Sequence, residues 1–134
     1  MSQENVEVVR KVHAAVNARD VEELVRCCDP EMAYQPGLEG AMEGRGTVFH
    51  GHEGIRHWWQ QMDEAWADWS TEIGEIRDLG DTLIVDCVVR LRARAGMAFE
   101  ASFVQVMTIR DGLLVRSDDY LDRAAGLKAI GPPD

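Results

Sequence analysis

The dominant hydrophobic period of this chain changes at Asp68. Before it, apolar residues recur at three- and four-residue steps; after it, they alternate. A period near 3.6 buries one side of a helix, and a period of two buries one face of a strand. The chain must therefore place helices first, strands second, and pack one group on the other. Val6, Val9, Val12, His13 and Val16 share one side of a helix from Ser2 to Asn17, with Ser2 as its N-cap. Asn17-Ala18-Arg19-Asp20 reads as a break. Asp20 caps a short second helix, Val21 to Cys28, and Glu23 stands at the capping-box position. Asp29-Pro30 ends that helix, because proline disfavours helical geometry in the residue before it. Met32 to Gln35 is a short extended piece. Pro36 to Gly54 holds six glycines and reads as an irregular loop folded over something. A third helix spans about His52 to Ala67, with Ile55, Trp58, Trp59, Met62 and Trp66 on its apolar stripe.

Trp69–Leu79, Thr82–Arg94, Ala98–Arg110 and Leu113–Leu121 read as four strands. Gly80-Asp81, Ala95-Gly96 and Asp111-Gly112 join them as hairpin turns, and Asp122 to Ile130 reads as a short terminal helix. Leu83, Val85, Cys87, Val89 and Leu91 form one face of the second strand; Ile84, Asp86, Val88, Arg90 and Arg92 form the other. The third strand divides into Phe99, Phe103, Gln105, Met107 and Ile109 against Ser102, Val104, Val106 and Thr108. Both faces are partly apolar. One face is expected to line an interior and the other a subunit interface, so a homodimer through Cys87, Val89, Val104 and Val106 is expected.

With 134 residues and no linker, repeat or low-complexity tract, the chain reads as one domain, residues 1–134. Its 14 basic and 24 acidic residues leave a net charge of −10. That balance speaks against nucleic acid, whose affinity rests on Lys and Arg at phosphates, and against an anionic membrane surface. No apolar run reaches spanning length, and Met1 to Arg19 carries charges throughout, so the cytoplasm is the expected location. Cys27, Cys28 and Cys87 read as reduced, packed thiols, since adjacent cysteines pair only in a strained ring. His50, His52 and His57 do not supply three or four converging ligands with metal-site spacing, so no metal is expected. There is no phosphate-binding glycine loop, nucleophile motif or dinucleotide fingerprint, and no cofactor is expected.

The order of elements and several short motifs together carry a resemblance. They are Val9-x-x-x-His13-x-x-Val16-Asn17-Ala18-Arg19-Asp20, Cys28-Asp29-Pro30-Glu31-Met32, Phe49-His50-Gly51-His52-Glu53-Gly54-Ile55, and Val104 to Gly112 followed by Val115 and Asp118-Asp119-Tyr120. The chain resembles the nuclear transport factor two-like superfamily, and within it the SnoaL-like polyketide-cyclase and ketosteroid-isomerase-like group. The resemblance implies an α+β cone: a curved antiparallel sheet packed on three N-terminal helices, enclosing one pocket, commonly in a dimer. It does not fix an activity, because the superfamily includes isomerases, cyclases, dehydratases, hydrolases and non-enzymatic binders. Steroid isomerases of this family use a tyrosine on the first helix, an aspartate on the first strand and an acidic donor on the penultimate strand. Val12, Gln35 and Gln105 stand at those positions here, and neither valine nor glutamine is a general base near neutral pH.

With Phe103 and Gln105 inward, as the resemblance implies, Asp86, Val88 and Arg90 are expected inward on one side, and Ser117, Asp119 and Leu121 on the other. Asp86 or Asp119 is then the candidate acid or base, and Arg90 the candidate partner of a developing oxyanion. The same three groups also fit a purely structural ion network. His13 and Gln105 are candidates to orient a ligand, with a hydrogen-bonded core histidine as the plain alternative for His13. Tyr34 and Gln35 on the first strand, Trp58 on the third helix and Phe103 complete the candidate lining. Trp58, Trp59 and Trp66 otherwise read as core. Two functions follow. One is a pocket for a small hydrophobic molecule, in the form of a cofactor-independent isomerase, cyclase or lyase acting on a carbonyl compound. The other is a non-catalytic ligand-binding or dimerisation module.

Overall fold

The computed structural model describes residues 2–36 and 48–121. The expected terminal helix and residues 37–47 of the glycine-rich loop lie outside the described residues. Helices α1 (Ser2–Asn17) and α2 (Val21–Arg26) lead into β1 (Cys28–Gln35) and β2 (Phe49–His50). After α3 (Gly51–Ala65) come β3 (Asp68–Asp78), β4 (Thr82–Arg92), β5 (Ala98–Arg110) and β6 (Leu113–Tyr120). The six strands form one sheet in the order β2-β1-β6-β5-β4-β3. No helix among the described residues is long and apolar enough to cross a membrane.

Local chemistry explains the helix ends. Asp20 accepts a hydrogen bond from the Glu23 backbone N–H, satisfying one orphan donor of α2. Arg19 takes φ +60° between the two helices. That strained position is held from both sides: its guanidinium lies 4.6 Å from the Trp69 ring centroid and 2.9 Å from Asp63. At the end of α1, Asn17 both donates to and accepts from the Thr71 backbone, at 2.8 Å each, so a side-chain amide extends the edge strand β3. The C-terminus of α3 has no basic residue of its own. Arg94, from the β4–β5 hairpin, binds the carbonyls of Asp63 and Glu64 there instead.

Three elements differ from the sequence expectation. Helix α2 stops at Arg26, and β1 begins at Cys28 rather than Met32, running through Pro30. Proline is tolerated because the β1–β6 ladder is irregular between Cys28 and Ala33. The expected loop contains a short strand, β2, pairing Ala33 with His50 and Tyr34 with Phe49. The next turn is tight: a Cβ on Gly54 would stand 2.9 Å from the Phe49 carbonyl carbon. Finally, β1 pairs with β6 in parallel, so the sheet is antiparallel everywhere except at that pair.

Helices cover the inner face of the sheet. Val9, Val12 and Val16 of α1, Leu24 of α2 and Ile55 and Trp59 of α3 meet Leu83, Val85, Met107, Ile109 and Leu114 in one cluster. Each such side chain contributes roughly 1.5–3 kcal/mol by leaving water. Trp58, Trp59 and Trp69 contact one another edge to face, with centroids 4.9–6.3 Å apart.

Candidate functional site

Between the helices and the inner face of the sheet lies a cavity of about 380 Å³. Small-molecule sites start at roughly 300 Å³ and are walled by apolar and aromatic groups with a few polar anchors. Here Trp58, Trp66 and Trp69 form one side, with Met32, Phe103 and Met107 among the apolar residues of the remainder. Trp66 and Trp69 are additions to the expected lining. Their positions lie on either side of the α3–β3 junction, where the change of period hides their shared direction.

Two polar clusters break the apolar wall. The first joins β1 to β6: the Tyr34 hydroxyl donates to Asp119 Oδ2 at 2.7 Å. Asp119 is 4% exposed. Burial, reinforced by the negative Asp119, pushes the Tyr34 phenol well above its ordinary pKa, so it remains a donor. Trp58 meets the Tyr34 ring edge to face at 5.0 Å and fixes its direction. The second cluster joins α1 to β3 and β5. His13 Nδ1 lies 2.7 Å from Thr71 Oγ1, and its Nε2 lies 2.7 Å from Gln105 Oε1. The Cys87 thiol reaches the same Gln105 oxygen at 3.5 Å. Burial lowers the His13 pKa more than the Gln105 hydrogen bond raises it, so the imidazole is neutral at pH 7. Gln105 and Asp119 stand directly opposite each other across β5–β6, which brings the clusters together. Ser117, beside them on β6, is buried with no hydrogen-bond partner for its hydroxyl among the described residues.

The structure thus brings His13, Tyr34, Trp58, Phe103, Gln105 and Asp119 to one cavity. It does not bring Asp86, Arg90 or Gln35 there. Val85 pairs with Gln105 and Cys87 with Phe103, so Val85, Cys87 and Val89 share the inner face and the even-numbered residues of β4 point outward. Arg90 is half exposed and pairs with Glu72 at 2.8 Å and Glu100 at 2.9 Å. Asp86 lies opposite Val104 on that outer side. Gln35 follows Tyr34 on β1, pairs in register with Asp118, and turns away from the cavity. The same correction divides the surface expected to form a dimer. Cys87 and Val89 face the core, while Val104 and Val106 lie on the outer side with Ile84, all three buried. Thr71 escaped the sequence reading altogether. Its alternation with Trp69 marks an inward position, but nothing local signals the meeting with His13.

The remaining reactive groups are occupied by packing. Burial pushes the Cys28 thiol up to about 12 and raises the pKa of Cys87, so neither is a thiolate. His52 is hydrogen-bonded to the Cys28 carbonyl at 2.8 Å, and His57 lies edge-on to Phe49.

Solved structures share this architecture. A nuclear-transport-factor-two-like protein of unknown function from Burkholderia pseudomallei superposes with a TM-score of 0.78 at 22% identity, covering 96% of this chain and 98% of that one. TerC, co-crystallised with polyporic acid, has a TM-score of 0.78 at 23% identity, covering 96% and 99%. Rv0760c from Mycobacterium tuberculosis, in complex with estradiol-17β-hemisuccinate, has a TM-score of 0.77 at 14% identity, covering 90% and 95%. At these identities the likeness is one of fold. No curated protein sequence matches the chain. The family model of the SnoaL-like domain matches residues 9–117, a span that holds every member of the two polar clusters except Asp119, and the chain belongs to that family.

Proposed function

We propose that the cavity binds a small hydrophobic carbonyl compound and that Asp119 moves a proton on it without a cofactor, as in an isomerase, cyclase or lyase. One observation carries this reading: a carboxylate held by the Tyr34 hydroxyl on the wall of a mostly apolar cavity. A buried carboxylate is costly, and a fold keeps one beside a cavity where proton transfer repays it. With the ligand carbonyl at Gln105 and its α-carbon at Asp119, the carboxylate takes the α-proton. The C–H pair becomes the C=C bond of an enolate, and the carbonyl π pair moves to oxygen. Asp119 then returns the proton to another carbon or to the oxygen, so the sum is a rearrangement. Polyporic acid on TerC and estradiol-17β-hemisuccinate on Rv0760c support a pocket that takes small organic molecules.

The second reading is a non-catalytic binder. It is favoured by Val12, Gln35 and Gln105 at the positions where related steroid isomerases carry their working groups. One experiment separates the two. 2-Tetralone is titrated against the intrinsic tryptophan fluorescence, which Trp58, Trp66 and Trp69 report from the cavity wall, and its α-deuteration in D2O is followed by NMR. The catalytic reading requires accelerated exchange that falls about 10²–10⁴-fold in Asp119→Asn. Binding without acceleration makes the protein a binder.

A further inference from the structure

We infer that His13 is a positioning residue: it fixes the Gln105 amide with its oxygen turned back and its NH2 turned into the cavity, so the cavity selects a ligand with a hydrogen-bond acceptor at that point. This rests on the pocket reading above but not on catalysis.

The imidazole of His13 is neutral and carries one N–H. Its two partners differ in kind. Thr71 Oγ1 both donates and accepts, whereas an amide oxygen only accepts. With Gln105 Oε1 at 2.7 Å from Nε2, the hydrogen sits on Nε2, and Nδ1 receives the Thr71 hydroxyl hydrogen. The chain of donation runs Thr71 to His13 to Gln105. Cys87 adds a second donor to the same oxygen. The amide nitrogen has no hydrogen bond among the described residues, and Gln105 forms part of the cavity wall.

Two features oppose the reversed amide. Reversal brings NH2 against His13 Nε2, moves the imidazole hydrogen to Nδ1, and leaves the Cys87 thiol only the Val85 carbonyl at 3.6 Å. It also turns the Gln105 oxygen toward Asp119, its cross-strand neighbour, and sets two acceptors side by side in a mostly apolar cavity. The unreversed amide places a donor beside the carboxylate instead. Cys87 on β4 and Asp119 on β6 set the sense of the amide, and the His13 N–H, 2.7 Å from its oxygen, holds it there from α1.

Long-range ¹H–¹⁵N NMR on histidine-labelled protein at pH 7 reads the tautomer directly. Protonated Nε2 with bare Nδ1 is expected for His13; the Nδ1–H tautomer overturns the inference. The second measurement compares 2-tetralone with tetralin, which has the same rings and no oxygen. Wild type should prefer 2-tetralone by about fivefold, the worth of one neutral hydrogen bond. His13→Phe should lose that preference while tetralin binding is kept. His13→Gln supplies an amide N–H donor again and should restore it. A preference unchanged in His13→Phe refutes the positioning role. Should neither ring compound bind, the pocket reading fails and the tautomer still decides the His13 arrangement; should both bind without α-exchange, only the catalytic reading falls.

Discussion

Tyr34→Phe isolates the interaction on which the site depends. The Tyr34 hydroxyl donates to Asp119 at 2.7 Å, and the ring rests edge-on against Trp58 with centroids 5.0 Å apart. Phenylalanine keeps the ring and its contact with Trp58 and removes only the donor. The carboxylate left behind is 4% exposed, so water replaces the lost donor poorly. A hydrogen bond to a charged group contributes about 1.5–3 kcal/mol, and a chain of this size moves its Tm by roughly 3–6 °C per kcal/mol. Thermal unfolding at pH 7 should therefore shift down by about 5–18 °C. Asp119→Asn keeps an oxygen acceptor but removes the charge, so it should cost less in combination with Tyr34→Phe than the two single changes sum to. The reasoning fails if Tyr34→Phe melts with the wild type, or if the two changes add. Either result means that the Tyr34 hydroxyl does not hold the Asp119 carboxylate, and that basis for its chemistry goes with it.

Arg90→Met should leave both the melt and 2-tetralone binding unchanged, because the guanidinium is half exposed between Glu72 and Glu100; lost binding would return Arg90 to the site. His13 gives stability a pH dependence. Its folded pKa lies below that of the unfolded chain, so the unfolded chain binds more protons as pH falls through about 6.5. Stability should then decrease by at most about 1.4 kcal/mol per pH unit until the lowered pKa is reached, and His13→Gln should flatten that limb of a urea-melt series; an unchanged slope refutes the assignment. A homodimer is expected through the outward side of β4 and β5 around the partly open Val88, although Ile84, Val104 and Val106 beside it are already buried within the chain. Sedimentation equilibrium at micromolar concentration checks it, and a monomer mass overturns it.

What the sequence conceals comes down to single residues in two hairpins. Helices, strands and turns follow from periodicity and from Asp, Gly and Pro, all of which act locally. Which faces meet does not. A two-residue Ala95-Gly96 turn sets Arg94 opposite Met97 and so brings Asp86 opposite Gln105. The hairpin instead closes one residue earlier, Ala93 N–H to Met97 O at 2.8 Å, with Arg94, Ala95 and Gly96 in the loop and Gly96 at φ +100°. Every side chain of β4 then changes partners, which turns Asp86 and Arg90 outward and separates Cys87 from Val104. A distant contact goes with it: Arg94, in that loop, binds the α3 carbonyls of Asp63 and Glu64, some thirty residues away in the chain. The next hairpin makes the opposite adjustment. Its Asp111-Gly112 turn, φ +53° and +77°, is the two-residue kind that the sequence announces. Continued without a break it pairs Gln105 with Asp118, so the inward Asp119 expected above does not follow from this turn. An irregularity between Thr108 and Ile109 slips the ladder by one residue and sets Asp119 opposite Gln105 instead. Removing that bulge would turn the carboxylate away from Tyr34, so the carboxylate at the cavity depends on a single unpaired residue that no local propensity marks.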